Sequence, residues 1–251
     1  MLQVNPVHAT PYAPPRTPLC DVRGRVIVVT SGASLLGATF ATALGAAGAH
    51  VVIADSDGAA AERVAGNVRG ARALAVQADV SNASDVARLV DETQAAFGRV
   101  NGLVNTTGAG CLHCSEAFMP GLLASRDSGT IVNVASVAGA VTADGSSHDS
   151  SDGMIWAEPP AYSGTQLGIV GLTRHLAAYY GARGLRVNAL VPDSVLAGPD
   201  AGLGKRYAWR PRAGRLELQN DYSGALQFLL SDASSYMTAA CLVVGGAWVT
   251  G

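Results

Sequence analysis

Several features that settle a protein's class at once are missing from this sequence. There is no charge surplus: 17 Lys and Arg against 19 Asp and Glu leave a formal net charge of −2. A near-neutral chain has no electrostatic footprint for nucleic acid or for an anionic membrane surface. No apolar run approaches the ~18–20 residues that span a bilayer. The start lacks the basic and apolar stretches of a secretory signal. Cysteine is scarce, with Cys20, Cys111, Cys114 and Cys241 spread apart except for one close pair. They read as reduced thiols of a cytoplasmic protein. Cys111-Leu-His-Cys114 gathers two Cys and His113 into four residues. A zinc site needs about four ligands, and no second CxxC or HxxxH follows. The pair therefore reads as buried free thiols on a helix, and no metal is expected.

What is present points to a single α/β domain. The chain has 251 residues, 49% of them hydrophobic, and 30 Gly. That length can bury one full core. Residues 1–20 carry Pro6, Pro11, Pro14, Pro15 and Pro18. Proline removes amide donors and disfavours helix in the residue before it, so this segment reads as an extended tail outside the core. The domain proper spans 21–251.

From Arg25 onward two kinds of segment alternate. Strands are predicted over Val26–Thr30, His50–Ala54, Ala73–Gln77, Gly102–Asn105, Thr130–Val134, Leu185–Leu190 and Cys241–Val244. Helical periodicity covers Ala38–Ala47, Ala59–Val68, Ser84–Phe97, Glu116–Ala124, Ala161–Ala182 and Asp221–Leu230. Nearly continuous apolar strands are buried on both faces, as in a parallel sheet covered by helices. The expectation is a single-domain, Rossmann-like, doubly wound parallel sheet with helices on both faces. Two irregular stretches, Ala143–Pro160 and Pro192–Gly214, follow strand ends, where such sheets place their ligand crevice.

The first strand runs into Thr30-Ser31-Gly32-Ala33-Ser34-Leu35-Leu36-Gly37 and then a helix. That is the position of a dinucleotide-binding turn, where phosphate rests on a helix N-terminus. Asp55 ends the second strand, 18 residues after Gly37, where a carboxylate accepts from the adenosine ribose and repels a 2′-phosphate. Farther along come Asn105-Thr-Thr-Gly108, Ile131-Val-Asn-Val-Ala-Ser136, Tyr162-Ser-Gly-Thr-Gln166 and Arg186-Val-Asn188-Ala-Leu-Val-Pro192. Together these segments resemble the short-chain dehydrogenase/reductase family over roughly residues 22–249. The Ser231–Thr238 stretch and Leu242-Val-Val-Gly-Gly246 match it as well.

The resemblance implies a nicotinamide-dependent oxidoreductase acting on a small-molecule alcohol or ketone, in a homo-oligomer. Asp55 argues for NAD(H) over NADP(H). Ser31, Gly32, Leu35 and Gly37 fall in the phosphate turn, where the family pattern is Thr-Gly-x-x-x-Gly-x-Gly. Ser31 and Leu35 replace its first two glycines, and Leu35 places a side chain where the backbone comes closest to the cofactor. Asp79 and Val80 resemble the adenine-flanking pair, although an Asp or Asn ahead of the next helix is equally a cap. Asn105 and Gly108 stand in the segment that borders the cofactor. Asn188 and Pro192 resemble the motif at the nicotinamide end.

In the same terms Ser136 holds the substrate oxygen and Tyr162 is the general acid or base. The family's Tyr-x-x-x-Lys is Tyr162-x-x-x-Gln166 here. The Lys bonds the nicotinamide ribose and its charge favours the ionised Tyr; Gln can do part of the first task only. The crossover that carries the family's catalytic Asn is shortened, and Thr107 falls near its position. Candidates for replacement in the 26-residue interval from Ser136 to Tyr162 are His148, Asp149, Asp152 and Glu158, although a solvated polar loop is the plainer reading of that interval. His148 could act near neutral pH. The alternatives to an impaired or atypical redox enzyme are a cyclase, isomerase or dehydratase on the same scaffold, or a non-catalytic subunit.

Overall fold

A computed structural model describes residues 20–108, 110–125, 129–137, 160–192, 213 and 218–247. His148, Asp149, Asp152 and Glu158 lie outside the described residues, as do residues 1–19 and 193–212.

Seven strands form one parallel sheet. They are β1 (Val26–Thr30), β2 (His50–Asp55), β3 (Ala73–Gln77), β4 (Gly102–Asn105), β5 (Thr130–Val134), β6 (Arg186–Pro192) and β7 (Cys241–Val244), in the order β3-β2-β1-β4-β5-β6-β7. Their composition explains this arrangement. β1 is Val-Ile-Val-Val-Thr, every residue of it buried, which only a strand covered on both faces allows. Val28 stands beside Val52 on one side and Leu103 on the other. The chain winds outward from β1 to β3 and returns at β4, so the strand order reverses between β1 and β4. Ligand crevices of open α/β sheets form at that switch, outside the C-terminal strand ends.

Alternating side chains go to opposite faces. Ile27, Val29, Val51 and Ile53 join Phe40, Leu44, Leu226 and Leu229 under α1 (Leu35–Ala46), α2 (Gly58–Asn67) and α6 (Ser223–Leu230). Val26, Val28 and Val52 join Leu89, Phe118, Leu122 and Leu176 under α3 (Ala83–Phe97), α4 (Cys111–Ala124) and α5 (Pro160–Tyr180). Phe40 and Phe118 are fully or almost fully buried, and each such side chain contributes about 1.5–3 kcal/mol. α3 shows how these helices are specified. Its buried Val86, Leu89 and Thr93 recur at helical spacing, the Asn82 side chain accepts from Ser84 N–H, and Gly98 ends it in a left-handed turn at φ 68°. No described helix is long and apolar enough to cross a membrane.

All six described helices shift from their sequence-based bounds, three of them by two or more residues at the start. α1 starts at Leu35, because Ser34 caps it by accepting from Gly37 N–H. α4 starts at Cys111, taking in the whole Cys111–Cys114 segment. α6 is preceded by a tighter 3₁₀ turn over Gln219–Tyr222. The end of the sheet opposite the crevice is tied by two buried arginines. Arg25 donates to the Leu230 carbonyl and to Asp232, and Arg186 donates to the carbonyls of Ser231 and Ser234. Burial brings Arg186 down to about 10, still fully charged at neutral pH.

Candidate active site

The turn after β1 closes by an unusual route. Ser31 adopts φ 42°, the left-handed region that favours glycine, at a cost on the order of 1–3 kcal/mol. Gly32 N–H then donates to the Ala54 carbonyl at 2.9 Å. A Cβ on Gly37 would lie 2.2 Å from the Ser31 carbonyl oxygen, so only glycine lets α1 seat against the turn. Leu35, the first helical residue, is 41% exposed. It borders a groove of about 630 Å³ together with Ala38, Thr39, Gln219 and Asn220. Asp55 is joined to this turn. Its Oδ2 accepts from Ala33 N–H at 2.9 Å and its Oδ1 from Asp57 N–H at 3.0 Å. Each oxygen retains a second lone pair for a ligand hydroxyl.

Beyond β3, Asp79 is exposed and Val80 is buried. The Asp79 carboxylate accepts from the Ser81 amide and hydroxyl, which hold it below the usual carboxylate range. The cap of α3 is Asn82, not Asp79. Val80 fills the space beside Gly110, where an added Cβ would sit 2.4 Å from Val80 Cγ2. Thr106 at the end of β4 is tied to β1: its hydroxyl donates to the Thr30 carbonyl, and its amide donates to Thr30 Oγ1 at 3.2 Å. Gly108 meets α5 closely. A Cβ there would lie 3.0 Å from Thr165 Cγ2 and 3.3 Å from Ile169 Cδ1.

Ser136 stands two residues past β5, on its crevice end. Tyr162 lies on the first turn of α5 and is 39% exposed; Gln166, one turn later, is only 8% exposed. The helix packs on β6 and β5, so the strand bearing Ser136 and the helix bearing Tyr162 and Gln166 are neighbours. Gln166 opens a buried stripe that continues through Ile169, Val170 and Thr173. Asn188, buried in β6, donates to the Met237 carbonyl and accepts from Ala240 N–H, fixing the approach to β7. Pro192 ends β6 at the same edge.

Sequence reading overlooked a polar chain beneath these groups. Asn105 Nδ2 donates to Asn133 Oδ1 at 2.9 Å and to Ser115 Oγ at 3.3 Å, and Asn133 Nδ2 donates to Thr173 Oγ1 at 2.9 Å. All four residues are fully buried. The available signal was one amide in an apolar strand, Ile131-Val-Asn133-Val. Cys111 and Cys114 point into the core from α4 while His113 faces out. Burial pushes both thiols up to about 12. No cluster of three metal-ligating side chains occurs among the described residues.

Known proteins share this architecture. The chain is 35% identical to cis-4-hydroxycyclohexanecarboxylate dehydrogenase of Sinomonas cyclohexanicum, covering 89% of this chain and 96% of that one. It is 32% identical to 2,5-dichloro-2,5-cyclohexadiene-1,4-diol dehydrogenase of Sphingobium indicum, covering 91% and 98%. A 3-ketoacyl-(acyl-carrier-protein) reductase from Brucella melitensis, solved with NADH, superposes with a TM-score of 0.78 at 28% identity, over 90% of this chain and 99% of that one. Residues 25–112 match the family model for short chain dehydrogenase, and residues 109–247 match that for enoyl-(acyl carrier protein) reductase. These two spans run from just before β1 to just past β7, and the chain belongs to the short-chain dehydrogenase/reductase family.

Proposed function

We propose that the protein is an atypical oxidoreductase that interconverts a small-molecule alcohol and its ketone with NAD(H). The observation that carries this reading is the pairing of Ser136, at the tip of β5, with Tyr162, on the first turn of the adjoining helix. Ser136 supplies a hydroxyl to hold the substrate oxygen. Tyr162 supplies a phenol that gives a proton to that oxygen or takes one from it. Gln166, 8% exposed on the inner stripe of α5, offers a carboxamide to a ribose hydroxyl but brings no charge to Tyr162.

The residues at the crevice fit a dinucleotide in two places. Gly37 lets the turn deliver the N-terminus of α1 to the crevice, as a phosphate site requires. Asp55 is fastened beside that turn through Ala33 N–H, which suits it to accept from adenosine ribose hydroxyls and disfavours a 2′-phosphate. Val80, Asn105 and Gly108 would line the adenine side and the floor, and Pro192 the nicotinamide end. Bound NAD(H) would supply the hydride acceptor or donor. Leu35 is the exception, a bulky side chain on the first helical residue.

Both relatives named above are dehydrogenases of hydroxylated six-membered carbocycles. Cyclohexanols and cyclohexanones therefore head the substrate panel. The test is calorimetric titration with NADH and NADPH, followed by that panel assayed across pH. NADH binding together with turnover supports the proposal. A second reading, a non-redox enzyme or a non-catalytic subunit, is favoured by the uncharged Gln166 and by Leu35. It prevails if NADH does not bind.

A further inference from the structure

We propose that the buried chain Ser115–Asn105–Asn133–Thr173 positions the active site, and that Asn133 and Thr173 are positioning residues that set α5 against β5. The proposal rests on the redox reading above for its kinetic consequence and on geometry for its structural one.

The four side chains belong to α4, β4, β5 and α5, so the chain crosses the floor of the crevice from helix to helix. Asn133 lies at its centre. It accepts from Asn105, donates to Thr173 at 2.9 Å, and is completely buried between Val132 and Val134 in β5. A Leu or Val at this position would pack a parallel strand at no desolvation cost, so the amide carries a penalty that only its bonds offset. Those bonds have a specific place. Asn133 is three residues before Ser136, and Thr173 is seven residues after Gln166, two turns along the same buried stripe. Thr173 gives its own proton to the Ile169 carbonyl, which leaves its oxygen to accept from Asn133.

Apolar contacts between a helix and a sheet tolerate sliding, whereas a hydrogen bond is directional and fixes the helix along its axis. A second restraint lies nearer the site, where the close approach at Gly108 seats Thr165 and Ile169 on the β4 turn. Both restraints act on the helix that carries Tyr162 and Gln166, and the strand that holds Asn133 also carries Ser136. A core role alone does not account for a tie between these two elements at this point. Catalytic geometry has to be held within about 0.5 Å, so losing the tie should be felt as rate rather than as binding.

The test compares Thr173→Val, which removes the hydroxyl at constant shape, with Thr173→Ser, which keeps it. Melting temperature, kcat and KM for NADH and for the alcohol are measured on each. Thr173→Val should lower kcat roughly ten- to a hundred-fold, leaving KM for NADH unchanged, and Thr173→Ser should restore most of the rate. A Thr173→Val protein that melts lower yet turns over at the wild-type rate per folded molecule overturns the proposal. If Thr173→Val does not fold, Thr173→Ala replaces it, because the smaller side chain leaves room for a water on the Asn133 amide. If the wild type transfers no hydride, the redox reading fails and the tie is still tested by crystallography. The separation of Ser136 Oγ and Tyr162 Oη should then differ between wild type and the Thr173 variant by about 0.5 Å or more. An unchanged separation overturns the proposal.

Discussion

Replacing Gln166 with Lys asks whether the site is a dehydrogenase short of one charge. Residues four apart on a helix have Cβ atoms about 5–6 Å apart, so an ammonium at 166 would sit about one turn from the Tyr162 phenol. At 5 Å, two unit charges interact by about 3 kcal/mol with an effective dielectric of 20 and by about 0.8 kcal/mol in water. Tyr162 is 39% exposed and Gln166 8% exposed, so the pair stands between those limits. Discounting for solvent screening leaves about 1–2 kcal/mol in favour of the phenolate, which is roughly ten-fold in a step that needs it.

The assay is NAD-linked oxidation of a cyclohexanol across pH, for wild type, Gln166→Lys and Gln166→Lys with Tyr162→Phe. The Lys variant should turn over roughly ten-fold faster at neutral pH, and its rate should level off at lower pH than the wild type's. The second substitution should abolish the gain. Burial acts against the new Lys, because desolvation disfavours its own charge. A gain that disappears at mildly alkaline pH would reveal that effect. The reasoning is refuted if the wild type already transfers hydride with a neutral optimum and the Lys variant does not improve on it. It is also refuted if the gain survives Tyr162→Phe.

Four further outcomes are expected. Asp55→Ser should erode a preference for NADH over NADPH in calorimetric titrations; equal wild-type affinity for the two cofactors would remove Asp55 from the ribose site. Leu35→Gly should tighten NADH binding by clearing the start of α1, and a bound structure with Leu35 turned away from the phosphates, alongside unchanged affinity, would refute the steric argument. In the native protein a disulfide reagent at pH 8 should modify Cys20 and Cys241 before Cys111 and Cys114, as quantified by peptide mass spectrometry with and without denaturant. The two buried thiols also set an alkaline limit. Burial lifts them from 9.0 to about 12, so the folded state keeps protons that the unfolded chain releases, and their contribution is complete below pH 9 and lost as pH rises toward 12. Chemical denaturation at pH 8 and pH 11 measures that loss.

The fold was legible because each strand announces itself locally. β1, β3, β4, β5 and β7 run over the residues that their short apolar runs predict, and in β1, β4 and β5 every residue is buried. Helix starts were less legible. α1 begins three residues before Ala38 because its cap is Ser34, and the intervening Leu35-Leu36 looks like part of the turn until the Ser34 bond to Gly37 is seen. Candidates for the site were legible where a residue type is tied to one task, as with Tyr162 and Asp55, whose roles the assays above test. Asn133 and Thr173 were not, because their meaning lies in a bond between residues 40 apart in sequence. At Asp79 two readings stood open, and the structure decides which residue caps the helix. Position suggested either a cofactor contact or a helix cap, and the cap went to Asn82.

The departures from the family pattern differ in kind, and the structure separates them. At 31 a Ser takes the place of Gly, yet its backbone still enters the left-handed region at φ 42°. The turn therefore bears strain at this residue, and Gly37 closes on the Ser31 carbonyl. A Ser in this conformation is expected to cost stability. At 35 the backbone is ordinary helix, so no strain offsets the change; the side chain itself is the change, and it stands 41% exposed at the start of α1. At 166 the side chain stays on the inner stripe of α5 and only the charge is gone. On the proposed function, Ser31 is expected to bear on folding, Leu35 on binding and Gln166 on rate. A site abandoned altogether would be free to lose its supports as well, yet Gly37, the Asp55 tie to Ala33 and the Asn133–Thr173 bond all remain. Under the proposed redox reading the ties that hold α1 and α5 in place are kept while Ser31, Leu35, Thr107 and Gln166 depart from the family pattern, and NADH titration decides whether such a site is still in use.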